Sequence, residues 1–274
     1  MAAASPLERL LRLDGRVAVV TGSAMGLGAA VARMLAEQGA AVALLDRDGE
    51  AAQAHARALA DAGHRALAWR CDVSDEAQVI AAVAAAAEAF GPAGVLVNAA
   101  GIAASPGQPY TRNTGEDFDR TMAVNVKGMF FTAKACHDGL LASGRGRVVN
   151  LSSITGVISA PFMPAYTVSK AAVISLTKVL ARDLAPHGAT ANAVCPGFIW
   201  TPLWEKLGAV MAAADGARQG GDARAVFDGR VSALVPMQRP QTAEDVAAIV
   251  AFLASDAAAN LTGQVIGVDG GVTI

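Results

Sequence analysis

Three side chains between residues 150 and 170 have the types and spacing needed to move a proton. Tyr166 and Lys170 are four residues apart, so on a helix they lie on the same face. Ser153 follows the apolar run 148–151, which is typical of a strand that ends in a loop. A phenol has an ordinary pKa of about 10, and a neighbouring lysine cation lowers it. The three could therefore act on a bound oxygen atom, although Tyr-x-x-x-Lys alone is more typical of an exposed helical pair.

The composition argues against several classes of protein. The 274-residue chain is 53% hydrophobic and long enough to bury a large core, as a helix-covered sheet does. Its formal net charge is −2 and its lysines and arginines are dispersed, which argues against a nucleic-acid or anionic-membrane partner. The four histidines have no Ser/Asp arrangement that indicates a hydrolase, and no residues have metal-ligand spacing.

The cysteines and the first residues indicate a reducing compartment. Cys71, Cys136 and Cys195 are far apart and odd in number, so they suggest neither a disulfide framework nor a metal site. Residues 1–14 are expected to form an N-terminal extension without a long apolar stretch. We therefore expect a cytoplasmic protein with no membrane partner.

Apolar strand patterns alternate with helical patterns along the whole chain. This alternation predicts an α/β fold, a Rossmann-type doubly wound parallel sheet of about seven strands, in a single domain over residues 15–274. The third strand is expected to reach Cys71, Asp72 and Val73. The other predicted strands are 17–21, 41–46, 95–97, 148–151, 190–194 and 265–268.

A glycine-rich turn follows the first predicted strand and precedes a helix. In its pattern Thr-Gly-x-x-x-Gly-x-Gly, glycine lets the backbone approach a diphosphate, and the helix start offers free N–H groups. This context predicts a dinucleotide cofactor. The expected contacts are Gly22, Ser23, Met25, Gly26, Leu27 and Gly28.

Asp46 ends the second predicted strand, eighteen residues after Gly28. A carboxylate in this place accepts hydrogen bonds from the adenosine ribose and repels a 2′-phosphate. Arg47 beside it weakens the argument, but no basic residue lies at positions 23–25. The sequence therefore predicts NAD rather than NADP.

At least six segments, in chain order, resemble those of the short-chain dehydrogenase/reductase family. Besides the glycine turn and the Ser-Tyr-Lys trio, they include 72–73, 98–101, 124–128, 195–201 and 262–271. Together they favour a catalytic role for Tyr166 and Lys170 over an exposed pair. Ala99 departs from the family, which has a second asparagine there. The resemblance implies cofactor contacts at Asp72, Val73, Asn98, Ala99, Gly101, Tyr166, Lys170, Pro196, Gly197, Ile199 and Thr201.

The resemblance implies an NAD-dependent oxidoreductase that acts on a secondary alcohol or the matching ketone. Ser153 would hold the substrate oxygen and Tyr166, as phenolate, would take its proton. Lys170 would lower the tyrosine pKa and bind the nicotinamide ribose. Asn125 would complete a proton relay, through a water held by its backbone carbonyl. The family also implies a homotetramer. Two alternatives remain, a β-ketoacyl-thioester (acyl-carrier-protein) reductase and a nucleotide-binding regulator without catalysis.

Residues 198–238 interrupt the alternation, with glycines at Gly208, Gly216, Gly220 and Gly221. They follow the sixth strand at the carboxyl edge of the sheet, where such folds bind ligands. They predict an irregular lid over the substrate, a core helix or subunit contact being the alternative. Its apolar underside would comprise Trp200, Leu203, Trp204, Leu207 and Met211.

This underside is expected to face Ile154, Phe162 and Met163 from the catalytic loop. An apolar, aromatic pocket favours a neutral secondary alcohol or cyclic ketone over a charged carboxylate or a phosphorylated sugar. The predicted substrate contacts are Ser153, Ile154, Met163, Phe198, Trp200 and Trp204.

Overall fold

The computed structural model describes residues 5–214 and 222–274. Over these residues its strands are β1 (Val17–Thr21), β2 (Ala41–Asp46), β3 (Ala66–Arg70), β4 (Val95–Asn98), β5 (Arg147–Leu151), β6 (Thr190–Pro196) and β7 (Val265–Val268). Its α-helices are α1 (Pro6–Leu11), α2 (Gly26–Glu37), α3 (Gly49–Asp61), α4 (Glu76–Phe90), α5 (Gly115–Met122), α6 (Gly128–Ala142), α7 (Pro164–Leu184), α8 (Pro202–Ala214), α9 (Ala223–Leu234) and α10 (Ala243–Ala254).

The strands form one parallel sheet in the order β3-β2-β1-β4-β5-β6-β7. The chain runs outward from β1 to β3 and then returns to start β4 on the other side of β1. A crevice opens at such a reversal, beyond the carboxyl ends of the strands. The predicted seven-stranded, doubly wound sheet is confirmed.

Helices cover both faces because the strands are apolar on both faces. Val19 and Val20 of β1 point to opposite sides and join different core layers. Val20 lies in the layer that contains Leu35 of α2 and Val250 of α10. Val19 lies in the layer built from α4, α6 and the last turns of α7. The sheet is therefore held rigidly between two helical layers.

Leu13, shortly before β1, packs into the core of the domain. The Leu13 side chain is fully buried in the layer beside α2 and α10, and its N–H donates to the Gln38 carbonyl at 2.9 Å. Among the described residues, no helix is both long and apolar enough to cross a bilayer.

Two local predictions are wrong. β3 ends at Arg70, and Asp72 instead begins a turn, since its carboxylate accepts the Ser74 N–H at 2.9 Å. The described residues of 198–238 are largely helical, because they form α8 and α9, which pack against each other. Gly208 allows that packing, since a Cβ there would lie 2.7 Å from the Ala223 carbonyl oxygen. Gly216, Gly220 and Gly221 lie outside the described residues.

Candidate active site

The carboxyl ends of four neighbouring strands bring the predicted site residues to one edge of the sheet. β1 leads into the glycine turn, β4 into residues 99–101, β5 into Ser153, and β6 into Gly197. The helix α7 begins at Pro164, a residue suited to a first helical turn, and crosses this edge. It places Tyr166 and Lys170 next to the loop that follows β5.

Lys170 is held against the Tyr166 ring inside the protein. Its Nζ atom donates a hydrogen bond to the Leu151 carbonyl at 2.8 Å, and it lies 5.4 Å from the centroid of the phenol ring. The Ser152 hydroxyl donates to the Lys170 carbonyl at 2.8 Å, which fixes α7 against the end of β5. Ser153 forms a side-chain hydrogen bond with Tyr166. The predicted trio is therefore brought together.

Burial controls the proton affinities of this pair. It raises the pKa of Tyr166 to about 12, and the hydrogen bond from Ser153 opposes it less strongly. It lowers the pKa of Lys170 to about 8. Both shifts have one cause, because an apolar surrounding disfavours the charged form of each group. In this structure, burial therefore outweighs the lowering of the Tyr166 pKa that the spacing to Lys170 predicts.

Asn125 lies in a π-helical turn, Ala123–Lys127, that joins α5 to α6. Its side-chain oxygen accepts the Ile102 N–H at 2.8 Å, and its amide donates to the Ile102 carbonyl and to the Ser169 hydroxyl, both at 2.9 Å. A π-turn shifts the hydrogen-bond ladder by one residue and is frequent at functional sites. Ser169 was not predicted from the sequence, because an isolated serine within a helix carries no pattern.

A cavity of about 430 Å³ runs along the sheet edge from Asp46 to Lys170, and we call it the glycine-turn cavity. It is shaped by glycine, since a Cβ on Gly28 would lie 2.0 Å from the Gly22 carbonyl oxygen. A long cleft with helix N–H groups at its centre fits a dinucleotide. The predicted cofactor residues that line it are Gly22, Met25, Gly26, Leu27, Gly28, Asp46, Asp72, Val73, Ala99, Gly101, Tyr166, Lys170 and Thr201.

Two predicted cofactor residues direct their side chains into the protein. The Ser23 hydroxyl donates to the Leu45 carbonyl at 3.3 Å. The Asn98 amide donates to Asn150 at 2.9 Å and its side-chain oxygen accepts from Thr132 at 2.6 Å. Asn98 therefore ties β4 to β5 and α6, and its side chain is not available to a ligand.

Asp46 is positioned by backbone donors. Its carboxylate accepts the Ala24 N–H and the Asp48 N–H, both at 2.9 Å. The first bond links the end of β2 to the glycine turn, so the carboxylate is fixed at the rim of the glycine-turn cavity. Arg47 lines the same cavity.

A second cavity, of about 310 Å³, lies on the other side of Tyr166, and we call it the apolar cavity. It is lined by side chains from the loop before α7, the segment after β6, and α8 and α9. The predicted residues that line it are Ser153, Ile154, Phe162, Met163, Tyr166, Pro196, Gly197, Phe198, Ile199, Thr201, Leu203, Trp204 and Leu207.

Among the differences from the predicted lining, those at Trp200, Met211 and Arg230 bear most on the substrate. Trp200 does not line the apolar cavity, because its ring packs edge-on against Phe227, with centroids 5.2 Å apart. Met211 packs beside Leu207 and Met163 and also lies outside the lining. Arg230 of α9 lines the apolar cavity and was not predicted, because its helix follows the break in the alternation.

Comparisons with known proteins agree with this arrangement. A family model described as enoyl-(acyl carrier protein) reductase matches residues 22–273. The chain is 42% identical over 258 residues to cis-4-hydroxycyclohexanecarboxylate dehydrogenase of Sinomonas cyclohexanicum, which covers 94% of this chain and 96% of that protein.

Two solved structures are similar over nearly the whole chain. NAD+-bound xylitol dehydrogenase superposes with a TM-score of 0.87 and 34% identity, covering 94% of this chain and 99% of that one. A gluconate 5-dehydrogenase from Burkholderia cenocepacia J2315, in complex with NADP and tartrate, gives 0.86 and 34%, covering 97% and 98%. The chain belongs to the short-chain dehydrogenase/reductase family, whose dehydrogenases use nicotinamide cofactors. The predicted family is confirmed.

Proposed function

We propose that the chain is an NAD-dependent dehydrogenase of secondary alcohols that also reduces the matching ketones. The observation that supports this most is the position of Tyr166, which lines both cavities. Ser153 lines only the apolar cavity and Lys170 only the glycine-turn cavity. An alcohol bound in the apolar cavity could therefore contact the Tyr166 phenol oxygen, next to the glycine-turn cavity that would hold the cofactor.

Each residue of the site has a separate role in this proposal. NAD supplies the hydride acceptor and, when oxidised, a positive charge. Ser153 donates a hydrogen bond to the alcohol oxygen, and Tyr166 takes the hydroxyl proton. Lys170 is charged below a pH of about 8, so at neutral pH its ammonium and the positive charge of oxidised NAD would together favour the phenolate against the effect of burial, and the ammonium would bind the ribose.

Asn125 serves the proposed proton relay in two ways. Its buried side chain holds the loop after β4 against α7. Its backbone carbonyl lies in the π-turn, where the hydrogen-bond ladder is displaced. We assign this carbonyl the task of holding a water between Lys170 and solvent.

Asp46 supports NAD over NADP. Its carboxylate lies at the rim of the glycine-turn cavity and is held there by two backbone N–H groups. An adenosine ribose offers it two hydroxyl donors, whereas a 2′-phosphate brings a like charge into a partly desolvated site.

The pair α8–α9 is proposed as a cover over the substrate. Leu203, Trp204 and Leu207 of α8 line the apolar cavity, as does Leu234 of α9. Closing such a cover excludes water from the reacting atoms. Protease cleavage within 205–230 should slow when NADH and a ketone are both present. An unchanged cleavage rate would contradict the proposed cover.

A homotetramer is the proposed assembly. Phe130 of α6 and Val168 and Val179 of α7 are 48%, 47% and 60% exposed. These apolar side chains lie on the helices that follow Asn125 and carry Tyr166, and they would be covered by a second copy. Light scattering should give four times the 27.7 kDa chain mass.

The cytoplasm is the proposed location. Cys71, Cys136 and Cys195 are all buried and unpaired, which suits a reducing compartment.

The proposed function is tested with a panel of secondary alcohols and ketones, monitored by NADH absorbance. Turnover of simple alcohols supports the proposal. Turnover of acyl thioesters alone would favour the acyl-carrier-protein reductase alternative. NADH binding without turnover of any substrate would favour a silent regulator.

A further inference from the structure

The apolar cavity contains one formal charge among its described lining residues, the guanidinium of Arg230. Apart from a few hydroxyl side chains, the walls around it are aliphatic or aromatic, including Ile154, Met163 and Leu207. Arg230 is half-buried on α9, next to the fully buried Phe227 turn and to Val231. A half-buried cation in such surroundings loses hydration that the mostly apolar walls replace only in part.

Arg230 has no carboxylate partner among the described residues, since none of their ion pairs or hydrogen bonds includes it. Its guanidinium instead lies over the Phe162 ring, 5.2 Å from the centroid. Stacking on an aromatic face orients the plane of the guanidinium and leaves its N–H donors at the edge.

Arg224 on the same helix also stacks on an aromatic ring, but it has a carboxylate partner. It lies over Trp200, at 5.2 Å, and its Nε donates to the Asp228 carboxylate at 2.9 Å. It lies outside the lining of the apolar cavity. Of these two stacked arginines, the one inside the cavity is the one that has no carboxylate partner in the part of the chain that the structure describes.

We propose that Arg230 binds a carboxylate of the substrate, so that the preferred substrates are aliphatic or alicyclic hydroxy acids. This inference rests on the proposed alcohol dehydrogenase function. The planar guanidinium fork matches a carboxylate through two N–H donors. Arg230 and Ser153 line the same, mostly apolar cavity, which suits a hydrocarbon body that separates the carboxylate from the carbinol. This proposal revises the expectation from the sequence, which favoured a neutral substrate, to an anionic substrate.

The first test compares 4-hydroxycyclohexanecarboxylate with its primary amide, which has a similar size and no charge. The wild type should prefer the acid in kcat/KM, and Arg230→Met should lower kcat/KM for the acid by about 10- to 100-fold, as expected for a lost charged hydrogen bond. The amide should change little. Arg230→Lys should recover part of the preference, because it restores charge without the fork. Arg224→Met is the matched control and should keep the preference.

The second test measures binding without turnover. Calorimetric titration of cyclohexanecarboxylate into the protein with NADH should show binding to the wild type and to Arg224→Met, and its loss in Arg230→Met. Equal turnover of acid and amide by the wild type, or an unchanged preference in Arg230→Met, would overturn the carboxylate site and leave the alcohol dehydrogenase function standing. Arg230-dependent binding with no turnover of either compound or of any alcohol in the panel would support the carboxylate site and overturn the proposed function.

Discussion

The side-chain amide of Asn125 donates a hydrogen bond to the Ser169 hydroxyl at 2.9 Å, and both side chains are fully buried. The Ser169 hydroxyl in turn donates to the Tyr166 carbonyl at 2.7 Å. Because Asn125 also holds Ile102 by two hydrogen bonds, one amide fixes the catalytic helix against the loop after β4. Ser169 is therefore a positioning residue for Tyr166.

Ser169→Ala should lower both stability and kcat. The change leaves one buried N–H of Asn125 without an acceptor, at a cost of about 1–3 kcal/mol in the free energy of unfolding. It should lower kcat more than it changes KM for the alcohol, because α7 shifts relative to the loop at Ile102. Denaturant unfolding and steady-state kinetics measure the two effects. Ser175→Ala, an exposed serine on the same helix, is the control and should change neither.

An unchanged kcat in a destabilised Ser169→Ala variant would show that Ser169 has a structural role only. Equal stability of the two serine variants would contradict the hydrogen-bond account itself.

The residues that were predicted from the sequence are those fixed by local spacing. Tyr166 and Lys170 share a helix face because they are four apart, and the glycine turn needs Gly22 and Gly28 for close backbone approach. The seven parallel strands follow from apolar runs that recur at regular intervals. Each of these signals is complete within a short segment of the chain.

Contacts between distant segments could not be predicted in this way. Asn125 and Ser169 are 44 residues apart in the chain, and only the fold shows that they meet. Arg230 reaches Phe162 from α9, a helix whose start lies beyond the glycine-rich break. The effect of burial on the Tyr166 pKa could not be predicted either, because burial depends on the packing of the whole domain, whereas the lysine spacing is local.

Asp46→Ser should narrow the preference for NAD over NADP by about 10- to 100-fold in kcat/KM, the range of a charged hydrogen bond. The substitution removes the like charge that faces a 2′-phosphate and leaves Arg47, which lines the same cavity, to attract it. Asp61→Ser, at the far end of α3, is exposed and should leave the preference unchanged. A wild type that prefers NADP would contradict the role given to Asp46.

Lys170 should give stability a distinctive dependence on pH. Burial lowers its pKa from 10.5 to about 8, so the unfolded chain binds more protons than the folded one between these values. The free energy of unfolding should therefore rise with pH between about 8 and 10.5. Below a pH of about 8, the folded protein bears the full cost of burying the charged ammonium. Above a pH of about 10, the raised pKa of Tyr166 acts in the opposite direction.

The measurement is chemical unfolding at about pH 7 and about pH 9.5, in wild type and in Lys170→Met. The wild type should gain stability relative to Lys170→Met as the pH rises. Lys178→Met removes an exposed ammonium from the same helix and should follow the wild type. Parallel pH curves for wild type and Lys170→Met would show that burial does not shift the Lys170 pKa.

The most direct test of the account is the rate of alcohol oxidation in Tyr166→Phe, measured by NADH formation beside the equilibrium binding of NADH. In the proposed mechanism the phenol oxygen carries the proton, so its removal should lower kcat by at least about 100-fold, in the range typical of general acid–base catalysis. NADH binding should be largely kept, because the ring remains. Tyr110→Phe, the other tyrosine, is 78% exposed and should keep full activity. A Tyr166→Phe enzyme that oxidises the alcohol at close to the wild-type rate would contradict the central claim.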